Sequence, residues 1–279
     1  MTTTLNPPPP VSPGRPPAPA RGSSRTIMLV MIVIGAVVIV GAIGSAVLAT
    51  VASASARTSS SSLAVSGVTE LDIDVAAGSL TIEFADVSEA ELDVTSSWGL
   101  ARWTLERDGD ELNVASPQGF FNGGWLFGGT GDAVLRLPRS LEGSDADLRL
   151  AAGDLRADGE FGDLDLELGA GRVIIDGSAR ELDAQISAGS AELDLADVSD
   201  VSIAVNAGSM EAVLTGAQPR TIGAEVNAGS LDLTVPEGDY DVTSDVSAGD
   251  FDNQMTSSTG ARSTIRVQVS AGQATLRAE

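Results

Sequence analysis

From residue 68 onward, apolar and polar residues alternate along most of the chain, and the phase of the alternation flips at regular points. Before Gly189, Leu182, Ala184 and Ile186 alternate with Glu181, Asp183 and Gln185; after it, Ala191, Leu193 and Leu195 alternate with Ser190, Glu192 and Asp194. Each half has the period of two that marks a half-buried strand. The apolar positions are even-numbered before the glycine and odd-numbered after it. The same flip occurs at Gly78, where Leu71, Ile73 and Val75 give way to Leu80, Ile82 and Phe84. It recurs at Gly171, Gly208, Gly229 and Gly272. Gly153 follows with less alternation on its far side, and Gly249 follows with polar lapses at Ser244 and Asn253.

A one-residue slip turns every later side chain to the other face. A slip repeated at a glycine therefore predicts a repeated corner, where glycine permits a bend that a larger residue resists. An Ala precedes each of these eight glycines, and from Gly153 they are spaced by 18, 18, 19, 21, 20 and 23 residues. A period near twenty residues is the signature of a solenoid. The expected fold is thus all-β, a single-stranded β-solenoid of coils of about 20 residues with two or three short strands each. The small Ala is expected to fit the interior of the corner. Coils are expected to stack in chain order, which puts Ser187, Asn206, Asn227, Ser247 and Ser270 in a polar ladder along one edge. The alternative all-β architecture, a sandwich, favours Asn-Gly or Asp-Gly hairpins. Only Asp108-Gly109, between Trp103–Arg107 and Glu111–Val114, has that form.

Ahead of this region the pattern differs. Ile27 to Val51 is a run of 25 residues without a charge. As a helix it would be about 37 Å long, enough to cross a hydrocarbon core of about 30 Å with some tilt. Arg15, Arg21 and Arg25 precede it and one Arg, Arg57, follows before the first acid, which predicts a cytoplasmic N-terminus. Ala54-Ser55-Ala56 resembles a signal-peptidase site, but the run exceeds an ordinary signal core. The expected organisation is a disordered Pro-rich cytoplasmic tail over 1–26, a transmembrane helix over 27–51, a Ser/Ala-rich linker over 52–66 and an extracytoplasmic β-domain over 67–279.

Composition removes whole classes of chemistry. The chain has no Cys and no His, and its 16 basic residues are all Arg. A thiolate nucleophile, a Cys/His zinc site, a Ser-His-Asp triad and a lysine Schiff base are therefore excluded. All 39 carboxylates lie from Glu70 onward, alongside 12 Arg. So acidic a surface repels phosphate backbones and anionic head groups, which excludes nucleic acid as a partner.

The strand–Ala-Gly–strand motifs Ala77-Gly78-Ser79-Leu80, Ala152-Gly153-Asp154-Leu155, Ala188-Gly189-Ser190 and Ala228-Gly229-Ser230-Leu231-Asp232-Leu233 follow an N-terminal anchor. In this arrangement the chain resembles the bacterial "putative adhesin" domain family, related to toast-rack-like solenoids, over roughly Val68 to Arg277. The resemblance implies an adhesive or envelope-associated role, in some members beside an envelope-stress system. It carries over no catalytic residue and no cofactor.

Three features are candidates for function. Outward carboxylates such as Asp163, Asp165 and Glu167 could hydrolyse glycosides, but acids recur in nearly every repeat without a singular pair. Calcium suits such a face, yet the position after each glycine varies (Ser79, Asp154, Arg172, Ser190, Gln273) and the tandem Gly-rich calcium signature is missing. The third is local. Seven of the ten aromatic residues lie between Phe84 and Phe127, and Phe120, Phe121, Trp125 and Phe127 sit among five glycines over 119–129. They are expected either to cap the first coil or to contact a partner or membrane interface. The sequence thus predicts a non-enzymatic, membrane-anchored envelope module for binding, adhesion or structure. An accessory or sensor of envelope stress and an Asp/Glu carbohydrate enzyme are the alternatives.

Overall fold

Alternating strands without helices between them can bury their apolar edges only by stacking ladder upon ladder. The computed structural model describes residues 57–96, 103–117 and 131–279. Within these the protein is all-β apart from one 3-10 turn, Arg139–Leu141, and its sheet is open. The expected tail and membrane helix, and residues 52–56, lie outside the described residues.

The N-terminal strands are β1 (Arg57–Leu63), β2 (Glu70–Val75), β3 (Gly78–Ala85), β4 (Ala90–Ser96), β5 (Thr104–Asp108), β6 (Glu111–Ala115) and β7 (Asp132–Pro138). Two long strands, β8 (Asp145–Glu160) and β9 (Asp163–Ser178), run through their corners. Shorter strands then alternate: β10 (Glu181–Ile186), β11 (Ser190–Ala196), β12 (Asp200–Val205), β13 (Ser209–Thr215), β14 (Thr221–Val226) and β15 (Ser230–Val235). The last are β16 (Tyr240–Val246), β17 (Asp250–Asn253), β18 (Ser263–Val269) and β19 (Gln273–Ala278).

Successive strands fall alternately into two ladders, so each coil contributes one strand to each. In the first ladder Leu166, Ala184, Ile203, Ala224 and Val267 align in parallel register. In the second, Ile175, Leu193, Ala212, Leu233 and Leu276 align in the same way. Every residue in these two rows is at most 5% exposed, so the apolar phase on either side of each glycine faces a shared interior. Each fully buried Leu, Ile or Val contributes about 1.5–3 kcal/mol.

The corner glycines form a column. Gly153, Gly171, Gly189, Gly208, Gly229 and Gly272 lie one on the next, with Gly78 before Gly153 and Gly249 beyond Gly272. A Cβ on any of the seven from Gly153 to Gly272 would overlap a neighbouring glycine's carbonyl oxygen; for Gly208 the separation from the Gly189 oxygen would be 2.5 Å. Close stacking is therefore the common requirement. Gly78, Gly153, Gly171 and Gly189 add positive φ, between 116° and 140°. Backbone bonds continue across the corner, as from Ser209 N–H to the Gly189 carbonyl at 2.9 Å. Gly131 extends the column next to Gly78, by the pairing of Asp132 with Ser79.

Each coil in these ladders has two strands, within the two or three expected. Three sequence expectations change. The corner alanines Ala188, Ala207 and Ala228 are exposed and not interior, because the chain turns one residue early and swings them into solvent. Coils do not stack in chain order at the ends. β18 pairs with both β14 and β16, and β19 with both β15 and β17, so the last coil lies inside the one before it. The polar lapses explain this. Ser244 and Asn253 cannot fill an interior, whereas Ile265, Val267 and Val269 are at most 2% exposed there. The edge order is thus Asn206, Asn227, Ser270, Ser247, and Asn227 Nδ2 donates to Asn206 Oδ1 at 3.0 Å. At the other end β6 and β7 likewise lie outside β2 and β3. Finally, the stretch expected as linker contains β1, antiparallel to β4 from Arg57↔Ser96 to Leu63↔Ala90. A ladder uses backbone groups, so a Ser run serves as a polar edge strand.

The expected hairpin joins β5 and β6 in antiparallel register, but Asp108 still pairs with Glu111, so the turn residues are Gly109, at φ 65°, and Asp110. Trp103, ahead of β5, is buried.

Thermal or denaturant melts test the column. Gly229→Val is expected to cost about 1–3 kcal/mol by forcing backbone apart. Ala228→Leu, at an exposed corner, is expected to stay within about 0.5 kcal/mol. Ile265→Ala is expected to cost about 2–5 kcal/mol as a core truncation. Val246→Ala, on the outermost coil, is expected to cost far less.

Candidate functional site

The outward positions of the first ladder repeat in register, so like residues become rows. Asp72 lies opposite Asp147, Asp147 opposite Asp165, and Asp165 opposite Asp183. In the adjoining row Glu70 lies opposite Asp145, and Glu181 pairs with Asp163 on one side and Asp200 on the other. Neighbouring strands in a sheet are about 4.8 Å apart, so each carboxylate has a like charge one strand away. A shallow groove of about 360 Å³ runs between the rows, lined by Asp163, Asp165, Glu181, Asp183 and Asp200.

Arginines punctuate the rows. Arg149 reaches Asp72 at 3.3 Å and also bonds Asp147. Arg180 lies 2.6 Å from Asp163 Oδ2 and 3.4 Å from Asp145. Arg220 bonds Asp200. On the second ladder Arg136 bridges Glu83 at 2.8 Å and Asp93 at 2.7 Å. All of these side chains remain accessible to water, so solvent screening keeps the pairs weak. The other Asp163 oxygen, Oδ1, is covered and has no hydrogen-bond partner, although the side chain as a whole is 42% exposed.

The charge density shows in protonation. Burial, then Asp183 and Asp163, raises the Asp165 carboxyl above its ordinary range. Burial also raises Asp147, with Arg149 opposing and Asp72 and Asp165 adding. Glu70 is raised by burial and by Glu111, Asp110 and Asp145. Asp93 moves the other way, lowered by hydrogen bonds from Ser60 and Arg136.

Chemically this face is a repeating anionic surface. Among the described residues no three carboxylates converge to hold a metal ion. The raised carboxyls Asp147 and Asp165 stand side by side in one row, whereas a glycoside hydrolase needs two carboxyls in contrasting environments. The sequence candidates Phe120, Phe121, Trp125 and Phe127 lie outside the described residues. The corner glycines form the column already described. Sequence reasoning did not single out Arg149, Arg180 and Arg220. Arg149 carried a usable signal, since it occupies an outward position two residues after Asp147 on one strand.

No family model matches the sequence, and no curated protein matches it. Among solved structures, a "putative cell adhesion protein" from Clostridium sporogenes is similar at 11% identity and TM-score 0.38, covering 80% of this chain and 100% of that one. A "putative adhesin" from Bacteroides fragilis is similar at 13% identity and TM-score 0.37, covering 80% of this chain and 97% of its own. Another from Parabacteroides merdae is similar at 12% identity and TM-score 0.36, with 80% and 96% covered. These are proteins of the kind that the Ala-Gly motifs resemble.

The rows predict an unusual pH response. Raised carboxyls bind protons more tightly in the folded than in the unfolded chain. Their stabilising contribution is therefore complete below the ordinary values, 4.5 for Glu70 and 3.8 for Asp147 and Asp165, and is lost as pH rises through the raised ones. Asp93 has the opposite sign, and its contribution fades only as pH falls through its lowered value, below 3.8. The melting temperature is expected to fall as pH rises from 3.8 through the range just above the ordinary carboxyl values, and Asp165→Asn is expected to reduce that fall. A melting temperature that instead rises steadily across that range contradicts this.

Proposed function

We propose that the chain is a single-pass membrane protein whose extracytoplasmic part is a rigid, non-enzymatic β-solenoid of the cell envelope. Its N-terminus lies in the cytoplasm, and its acidic face serves binding or adhesion to an envelope polymer or a protein. The observation that carries this reading is the in-register repetition of Asp72, Asp147, Asp165 and Asp183. A catalytic pair depends on two carboxylates in contrasting environments. A surface that repeats one environment along a ladder suits many weak contacts with an extended partner. The lack of Cys, His and Lys supports the same reading, and so does the uncharged run over 27–51 behind three Arg. No cofactor is part of this proposal.

Protease added to intact spheroplasts tests the topology. It is expected to digest the chain beyond residue 57 and spare the Pro-rich tail; a protected C-terminal portion contradicts it. A polysaccharide-hydrolysis screen tests the absence of catalysis. No turnover is expected, and turnover abolished by Asp165→Asn or Asp147→Asn would replace the binding reading with an enzymatic one.

A further inference from the structure

The topological reversal at the C-terminal end leaves a coil with a neighbour on one side only. β16 pairs with β18 and β17 with β19, and among the described residues neither has another strand beside it, only the single Tyr240–Ser257 bridge at the start of β16. The first turn of β16 is covered by the loop that follows β17. Ser257 Oγ accepts from Val242 N–H at 3.0 Å, and Ser258 N–H donates to the Tyr240 carbonyl at 2.7 Å. Both contacts are made on the side away from β18 by even-numbered residues. In a β-strand the backbone groups of alternate residues point the same way, so Ser244 and Val246 also turn their N–H and C=O groups outward. Among the described residues nothing pairs with them.

The side chains define what fits. Val246 belongs to the inward row that includes Val205, Val226 and Val269, each 0% exposed, yet Val246 itself is 41% exposed. It is the exposed large hydrophobic residue of the described chain. On the opposite face of the same strand stand Asp241 and Asp245, with Asp250 and Asp252 on β17. An added strand would thus place every second side chain over Val246 and the others beside carboxylates.

We propose that the β16 edge is a strand-addition site for an extended peptide that alternates apolar with Arg or Lys residues. Main-chain bonds to Ser244 and Val246 supply the docking, the open end of the core takes the apolar side chains, and Asp245 selects the basic ones. A second copy of this chain fits poorly, since its own edge would set like carboxylates against Asp241 and Asp245. The inference concerns one end of the β-domain and is independent of the membrane topology and of the acidic rows on the first ladder.

Fluorescence anisotropy with the full chain tests it, using as probe a labelled peptide of alternating valine and arginine and a valine–glutamate control. Saturable binding of the arginine peptide alone is expected. Val246→Pro removes the outward N–H while leaving the bonds to β18, a substitution an edge strand tolerates. It is expected to weaken binding about tenfold, the loss of one such bond. Asp245→Asn is expected to weaken binding about threefold and to reduce its salt dependence. An unchanged melting temperature shows that each variant is folded. Equal binding of the glutamate peptide, or binding by folded Val246→Pro at wild-type strength, overturns the proposal. So does self-association of the wild-type chain in sedimentation that Val246→Pro abolishes, because the occupant is then a second copy.

Discussion

The structure depends on how closely two backbones can approach at one corner. Along the glycine column, from Gly78 to Gly249, the carbonyl of one residue occupies the space a Cβ of its neighbour would need. Because that approach is repeated, the coils stack without a gap and hydrogen bonding runs through the corner. Both ladders then keep their register over many coils. Constant register is what turns a sequence alternation into rows: apolar rows that form the core, and carboxylate rows that form the outer face. A single displaced corner would shift the rows on one ladder by a strand position and break both.

Much of this was legible in the sequence because period-two alternation and its phase flip depend only on which residues face inward. The inward row Leu182, Ala184, Ile186 and the flip at Gly189 could be read directly, as could the β5–β6 hairpin. Three things could not. The outward position of Ala207 and Ala228 follows from where the backbone leaves the strand, which alternation does not specify. The order of the last coils is a competition between two segments for an interior site, and local pattern describes each only in isolation. Ser244 and Asn253 were visible as lapses, but their consequence appears only when Ile265 and Val267 are set against them. β1 was missed because a polar edge strand has no apolar signal.

The candidate face was partly legible in the same way. Acids in nearly every repeat predicted an anionic surface, and the structure adds which of them are neighbours. Asp147 and Asp165 lie a long way apart from Asp72 in sequence, yet they share its row. Of the arginines that limit the cost of this crowding, Arg149 has a short-range signature in Asp147 two residues before it, whereas Arg180 reaches Asp145 and Asp163 only through the stacking of strands and has none. Electrostatics and packing are thereby linked: the register that buries Leu148, Leu166 and Ala184 also sets Asp147, Asp165 and Asp183 side by side.

Stacking order is the point at which the column, the core and the open edge meet, and it can be measured directly. The chain has no cysteine, so pairs can be introduced without background. Glu225 lies opposite Gln268, and Gln268 opposite Asp245. Mild oxidation is expected to cross-link the variant carrying Glu225→Cys and Gln268→Cys, and the variant carrying Gln268→Cys and Asp245→Cys. It should leave Glu225→Cys with Asp245→Cys unlinked, two strands apart. Efficient cross-linking of that last pair, with none between positions 225 and 268, would contradict the inserted coil and the open edge that follows from it.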